Sequence, residues 1–178
     1  MQPIEVQSAL AAAVEEVLET MCFTGVMSSS ESAIAEPAGL EPAGLEPAGL
    51  EPVGVEPVGV EPVVCDSLIA SLRFEGNLCG EFRLRMPMKV ARVVGSGFLG
   101  FDESEISDSQ AGEVVCELAN MFCGSALSRL EADTIFHLSH PEMVCVDAGV
   151  PFGGAGFCRW FELEEGNLAT SLNVLQAI

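Results

Sequence analysis

Glu113-Val114-Val115-Cys116-Glu117-Leu118-Ala119-Asn120-Met121-Phe122-Cys123-Gly124-Ser125-Ala126 is the stretch on which the reading of this 178-residue chain turns. At about 100° per residue, Glu113, Glu117, Asn120 and Gly124 fall within roughly 60° of one another on a helix. Val115, Leu118, Ala119, Phe122 and Ala126 gather on the opposite side. The pattern predicts a helix from about Asp108 to Leu130 that buries the second face and presents the first to solvent or a partner. Asn and Gly are poor helix formers, and a bland solvated stripe would be better served by Lys, Glu or Gln. Glycine also removes side-chain bulk, so another backbone could come close. The exposed face therefore reads as a contact surface that projects a carboxylate and an amide.

Upstream, residues 5–21 place Ala9, Ala13, Val14, Val17, Leu18 and Met21 at helical spacing. Ser67 to Phe74 and Leu78 to Met86 read as two strands joined by the turn Glu75-Gly76-Asn77. Pro87 opens a helix to about Val94, at the first-turn position proline favours. Downstream come a strand near Thr134–Leu138, a loop holding His140-Pro141, and a second loop over Gly149–Gly156. A final hairpin pairs Phe157–Leu163 with Leu168–Leu175. Both hairpin turns carry Glu-Gly-Asn-Leu, at 75–78 and 165–168, a hint of internal duplication. The order predicts an α+β fold with helices packed on a mostly antiparallel sheet, one domain over 1–178.

That domain is interrupted. Glu36-Pro37-Ala38-Gly39-Leu40 recurs at 41–45 and 46–50, then as Glu-Pro-Val-Gly-Val at 51–55 and 56–60, before Glu61-Pro62-Val63-Val64. Proline in every unit removes a backbone donor, so neither a helix nor a central strand can run through. Residues 28–63, with Ser28-Ser29-Ser30, read as a disordered low-complexity insertion tolerated in a surface loop. P-x-x-P, which a proline-recognising groove would need, is missing from the repeat.

Composition narrows the classes of function. Seven Lys and Arg against 27 Asp and Glu give a net charge of −20, which repels a phosphate backbone, so nucleic acid is not an expected partner. No apolar run approaches the roughly 20 residues of a membrane span. The start Met1-Gln2-Pro3-Ile4-Glu5 has no basic leader region, so a cytoplasmic location is expected. The seven cysteines lie scattered without a C-x-x-C pair, which predicts buried free thiols and no metal site.

Glu117-Leu118-Ala119-Asn120-Met121 followed by Gly124 resembles the E-x-x-N signature of the CheX and CheC chemotaxis phosphatases. Glu19-Thr20-Met21 resembles the end of their first helix, and Gly76-Asn77-Leu78-Cys79-Gly80 looks like their first hairpin. Ser139-His140-Pro141 falls where such proteins place a strand followed by proline. The resemblance implies a phosphatase acting on the aspartyl phosphate of a CheY-like receiver, with Glu117 and Asn120 as catalytic residues. Glu117 would pair with the receiver's active-site lysine, and Asn120 would hold the attacking water in line with phosphorus. Glu113 and Gly124 would complete the partner-binding face, and the receiver would supply its own Mg2+. A single E-x-x-N fits CheX better than the two-site CheC pattern, and a homodimer is implied. Ser125 departs from the Asn these proteins often carry after the Gly, and Glu113 from the Asp or Ser that CheC-type motifs favour.

The other candidate groups read blandly. His137, alternating with Ile135, is a packed or surface side chain, and His140 before Pro141 is a loop residue. Gly153-Gly154-Ala155-Gly156 lacks the lysine of a phosphate-binding loop. The competing functional class is a non-catalytic receiver-binding adaptor or flagellar-switch-type module. It could keep Glu117 for docking but has no need of a water-holding amide.

Overall fold

The computed structural model describes residues 3–32, 67–144, 152 and 156–175. Helix α1 (Pro3–Met21) buries Val6, Leu10, Ala13, Val14, Val17 and Leu18 along one stripe. It ends where the amides of Cys22 and Thr24 both donate to the Leu18 carbonyl, at 3.1 and 3.0 Å. Between them Phe23 adopts φ 55°, the left-handed position a helix terminus more often gives to glycine.

The strands are β1 (Val26–Ser32), β2 (Ser67–Glu75), β3 (Cys79–Pro87), β4 (His137–Leu138), β5 (Glu142–Met143), β6 (Phe157–Leu163) and β7 (Gly166–Leu175). They form one sheet in the order β1-β6-β7-β3-β2-β4, with β5 also on β2, and every pairing is antiparallel. Alternation along the strands sends Ala70, Leu72 and Phe74 of β2 and Phe82, Leu84 and Met86 of β3 into one core. Phe161, Leu163, Leu168 and Leu172 extend that core across β6 and β7.

Two more helices cover the same face. Helix α2 (Met88–Leu99) follows Pro87 directly and ends on Gly100, φ 73°, whose amide donates to the Ser96 carbonyl. It runs past the expected stop at Val94 because its glycines serve packing. A Cβ on Gly97 would lie 2.1 Å from the Cys22 carbonyl oxygen, so only glycine lets α2 cross the end of α1 here. Helix α3 (Asp108–Leu130) packs against α1, α2 and β2.

The α+β architecture and the two hairpins agree with the sequence reading. The insertion does not begin at residue 28, however. Ser28, Ser29 and Ser30 lie in β1, paired with Glu162, Phe161 and Trp160. This strand has just two apolar residues, Val26 and Met27, and its polar remainder suits the edge it occupies. The repeat itself, 36–63, lies outside the described residues, as does most of the Gly149–Gly156 loop. The strand expected over Thr134–Leu138 contracts to His137–Leu138, and β5 is added beyond Pro141.

Candidate functional site

Helix α3 begins with a capping box. The Ser107 hydroxyl accepts from the Gln110 amide at 3.3 Å, and the Gln110 side chain accepts from the Ser107 amide at 3.0 Å. From that anchored start the helix turns as its sequence requires. Val115, Leu118, Ala119, Phe122 and Ala126 are wholly buried, Glu113 and Glu117 are exposed, and Asn120 is half-buried. Among the described residues, the side chains of Glu113, Glu117 and Asn120 engage in no hydrogen bond or ion pair. They are held in place by the helix and left free to meet another molecule.

These three residues line one wall of an open groove of about 820 Å3. Asp108, Ser109, Gly112 and Cys116 extend that wall toward the start of α3. Asp108 is paired with Arg92 of α2 at 2.5 Å. The Cys116 thiol is pushed above its usual range by burial and secondarily by the neighbouring Glu113 carboxylate. The facing wall is the segment from Leu138 to Pro141 with Met143, and Leu68 of β2 also lines the space. This wall is clamped to β2. The Ser139 amide donates to the Arg73 carbonyl at 2.8 Å, the Arg73 amide donates to the Ser139 hydroxyl at 2.9 Å, and the Val144 amide donates to the Ile69 carbonyl at 2.7 Å.

The structure thus gathers Glu113, Glu117 and Asn120 and places Gly124 apart. Gly124 lies one turn beyond, where a Cβ would rest 3.7 Å from the Leu138 side chain, an ordinary contact. The glycine that opens the groove is Gly112, around whose Cβ position nothing lies within 4 Å. Ser125 faces α1, its hydroxyl 3.5 Å from Glu16, which also pairs with Arg129. His140 stands on the facing wall, whereas the sequence marks it only as a loop residue. Its placement follows from long-range pairing of β4 and β5 with β2, which no local pattern carries. Among the described residues, no three His, Cys, Asp or Glu side chains cluster to hold a metal ion, and no helix is long and apolar enough to cross a membrane.

Three helices lie on one face of an antiparallel sheet, with a carboxylate and an amide one turn apart on the uncovered side of α3. Residues 68–148 match the family model described as chemotaxis phosphatase CheX, a range that contains all of α3 and both groove walls. A CheX from Desulfovibrio desulfuricans superposes with a TM-score of 0.63 at 15% identity, covering 96% of this chain and 99% of that one. A CheX from Vibrio vulnificus gives 0.64 at 15%, covering 98% and 99%. The chemotaxis protein in a CheX–CheY–BeF3–Mg complex from Borrelia burgdorferi gives 0.61 at 15%, covering 96% and 97%. A search of curated protein sequences finds no match. The chain is thus similar to CheX in sequence over 68–148 and shares the CheX fold over nearly its whole length.

Proposed function

We propose that this chain is a phosphatase for the aspartyl phosphate of a CheY-like receiver in chemotaxis or a related two-component pathway. The observation that carries the reading is the pair Glu117 and Asn120, projecting from a rigid helix beside a groove with no partner among the described residues. The CheX family match over this helix and the CheX–CheY complex of Borrelia burgdorferi support the choice of partner.

In this mechanism α3 enters the receiver's active site. Glu117 pairs with the receiver's lysine and fixes the docking geometry. Asn120 accepts from and donates to the attacking water, aligning it with phosphorus and the bond to the aspartyl oxygen. A loose phosphoryl-transfer transition state needs an aligned nucleophile more than a strong base. A neutral amide aligns water without adding negative charge beside the phosphoryl oxygens. A carboxylate at the same position would repel them. The magnesium ion belongs to the receiver's own acidic site and offsets charge on the phosphoryl oxygens, so the residues of this chain are not asked to ligate it. A homodimer and a cytoplasmic location complete the proposal.

The test follows phosphate loss from a phosphorylated CheY-like receiver with wild type, Asn120→Ala and Glu117→Ala. Asn120→Ala is expected to lower turnover about a hundredfold, the scale of losing one positioning group, while still binding the receiver. Glu117→Ala weakens both binding and turnover. Unchanged turnover in Asn120→Ala rejects the mechanism. Binding by wild type without accelerated phosphate loss leaves the non-catalytic adaptor or flagellar-switch-type module.

A further inference from the structure

The two walls of the groove differ in charge. On α3 the ionisable oxygens are those of Asp108, Glu113 and Glu117, all carboxylates, and Cys116 adds a thiol whose protonated form is favoured. On the opposite wall the ionisable side chain is His140. Among the described lining residues, none is Lys or Arg, so His140 is the one that can carry positive charge. Other charged groups on the elements flanking His140 are Arg73 and Glu75 on β2, His137 on β4 and Glu142 on β5, none of which lines the groove.

His140 is also unusually well held for an exposed side chain. It sits between Ser139, fixed to Arg73 by two hydrogen bonds, and Pro141, whose φ is set by its ring. Beyond Pro141 the chain pairs again with β2, Met143 opposite Ala70 and Glu142 opposite Ser71. The bridge is thus pinned at both ends. Among the described residues, the imidazole has no hydrogen-bond or ion-pair partner.

We infer that His140, in its protonated form, is a positioning residue that holds the anionic, phosphoryl-bearing rim of the docked receiver against the wall opposite Glu117 and Asn120. The inference rests on the receiver reading given above. A dianionic phosphoryl group brought beside Glu113 and Glu117 is repelled, Asp108 being already paired with Arg92, and a cation on the facing wall offsets that repulsion. The imidazolium donates N–H to an acceptor on the partner and takes no proton from the water, so its contribution falls on docking more than on the chemical step.

The experiment measures two quantities at about pH 5.5 and about pH 8, a span that brackets histidine protonation. One is the dissociation constant for a receiver loaded with Mg2+ and beryllofluoride, and the other is KM and kcat for phosphate loss from the phosphorylated receiver. The proteins compared are wild type, His140→Ala and His140→Lys, each with the same receiver, so the receiver's own pH response cancels in the ratio. At the lower pH, His140→Ala is expected to raise the dissociation constant and KM about fivefold, the scale of a solvent-exposed charge contact, with kcat little changed. At the higher pH the wild type and His140→Ala converge, while His140→Lys keeps the tighter binding. Equal constants for wild type and His140→Ala at the lower pH, or a fall confined to kcat, overturn the inference. Binding that shows the His140 signature without any accelerated phosphate loss rejects the phosphatase reading and leaves this one standing. Absence of binding by wild type rejects both.

Discussion

Gly80→Ala tests how tightly the sheet beneath the groove is packed. Gly80 is buried on β3, opposite Val174 of β7. A Cβ there would lie 2.1 Å from the Asn173 carbonyl oxygen and 2.6 Å from the Phe74 ring. Ordinary heavy-atom contacts lie near 3.5 Å, so β3 and β7 must part locally by about 1 Å. That opening takes neighbouring ladder bonds beyond hydrogen-bond reach, at about 1 kcal/mol each. Phe74 cannot simply turn away, because it packs edge-on against Phe136, ring centres 6.3 Å apart at 77°. Overpacking of this kind costs about 1–3 kcal/mol. Two lost bonds plus the overpacking come to about 4 kcal/mol, which lowers Tm by on the order of 10 °C. Thermal unfolding followed by far-UV circular dichroism measures it. A Tm within about 3 °C of wild type would refute the reasoning, since it would mean the strands part without loss.

Gly112→Ala should act in the opposite sense on stability, because the new methyl meets nothing and alanine favours a helix interior by about 1 kcal/mol, raising Tm by a few degrees. The same methyl stands in the groove, so receiver binding should weaken, and calorimetric titration would report it. The thiols of Cys22 and Cys123, pushed up to about 12 by burial, should resist a thiol-specific reagent at neutral pH until the protein is unfolded. The sign for stability follows from the same shift. An unfolded thiol releases its proton near pH 9 while the buried one retains it. Stability is therefore lost as pH rises from 9 toward 12, by up to about 1.4 kcal/mol per pH unit per thiol, which urea titrations at several alkaline pH values would reveal.

Much of this was legible along the chain. Helix α3 begins and ends where its apolar spacing and polar caps place it, and the Phe157–Leu163 strand shows in its aromatic and aliphatic run. Glu117 and Asn120 were legible for the same reason, since helical periodicity alone puts them on the uncovered face. What escaped was set by distant partners. Strand β1 is mostly serine and becomes a strand because β6 is there to pair with it. His140 gained meaning only when Ser139 and Met143 were pinned to β2 across the sheet edge. Gly124 was expected to face a partner; Gly112, one residue before Glu113, is the α3 glycine that lines the groove. Gly95 and Gly97 suit the end of a helix in isolation, yet they sit inside α2, where the Cys22 carbonyl crowds against Gly97.

The sheet order has one more consequence. β1 and β2 are consecutive in the chain yet stand four strand spacings apart, about 19 Å at the usual interstrand distance. Through the paired registers Ser32 stands level with Ser71, a few residues along β2 from its start at Ser67, so the gap to be joined is about 25 Å. Residues 33–66, which join them, have a contour length on the order of 100 Å. The connection therefore carries several-fold more chain than its endpoints demand, and deletion of 36–61 still leaves enough to close it. Each Glu-Pro-(Ala/Val)-Gly-(Leu/Val) unit also carries one carboxylate and no cation. Gain or loss of a unit would step the net charge by one and the tether by five residues while leaving strand register untouched.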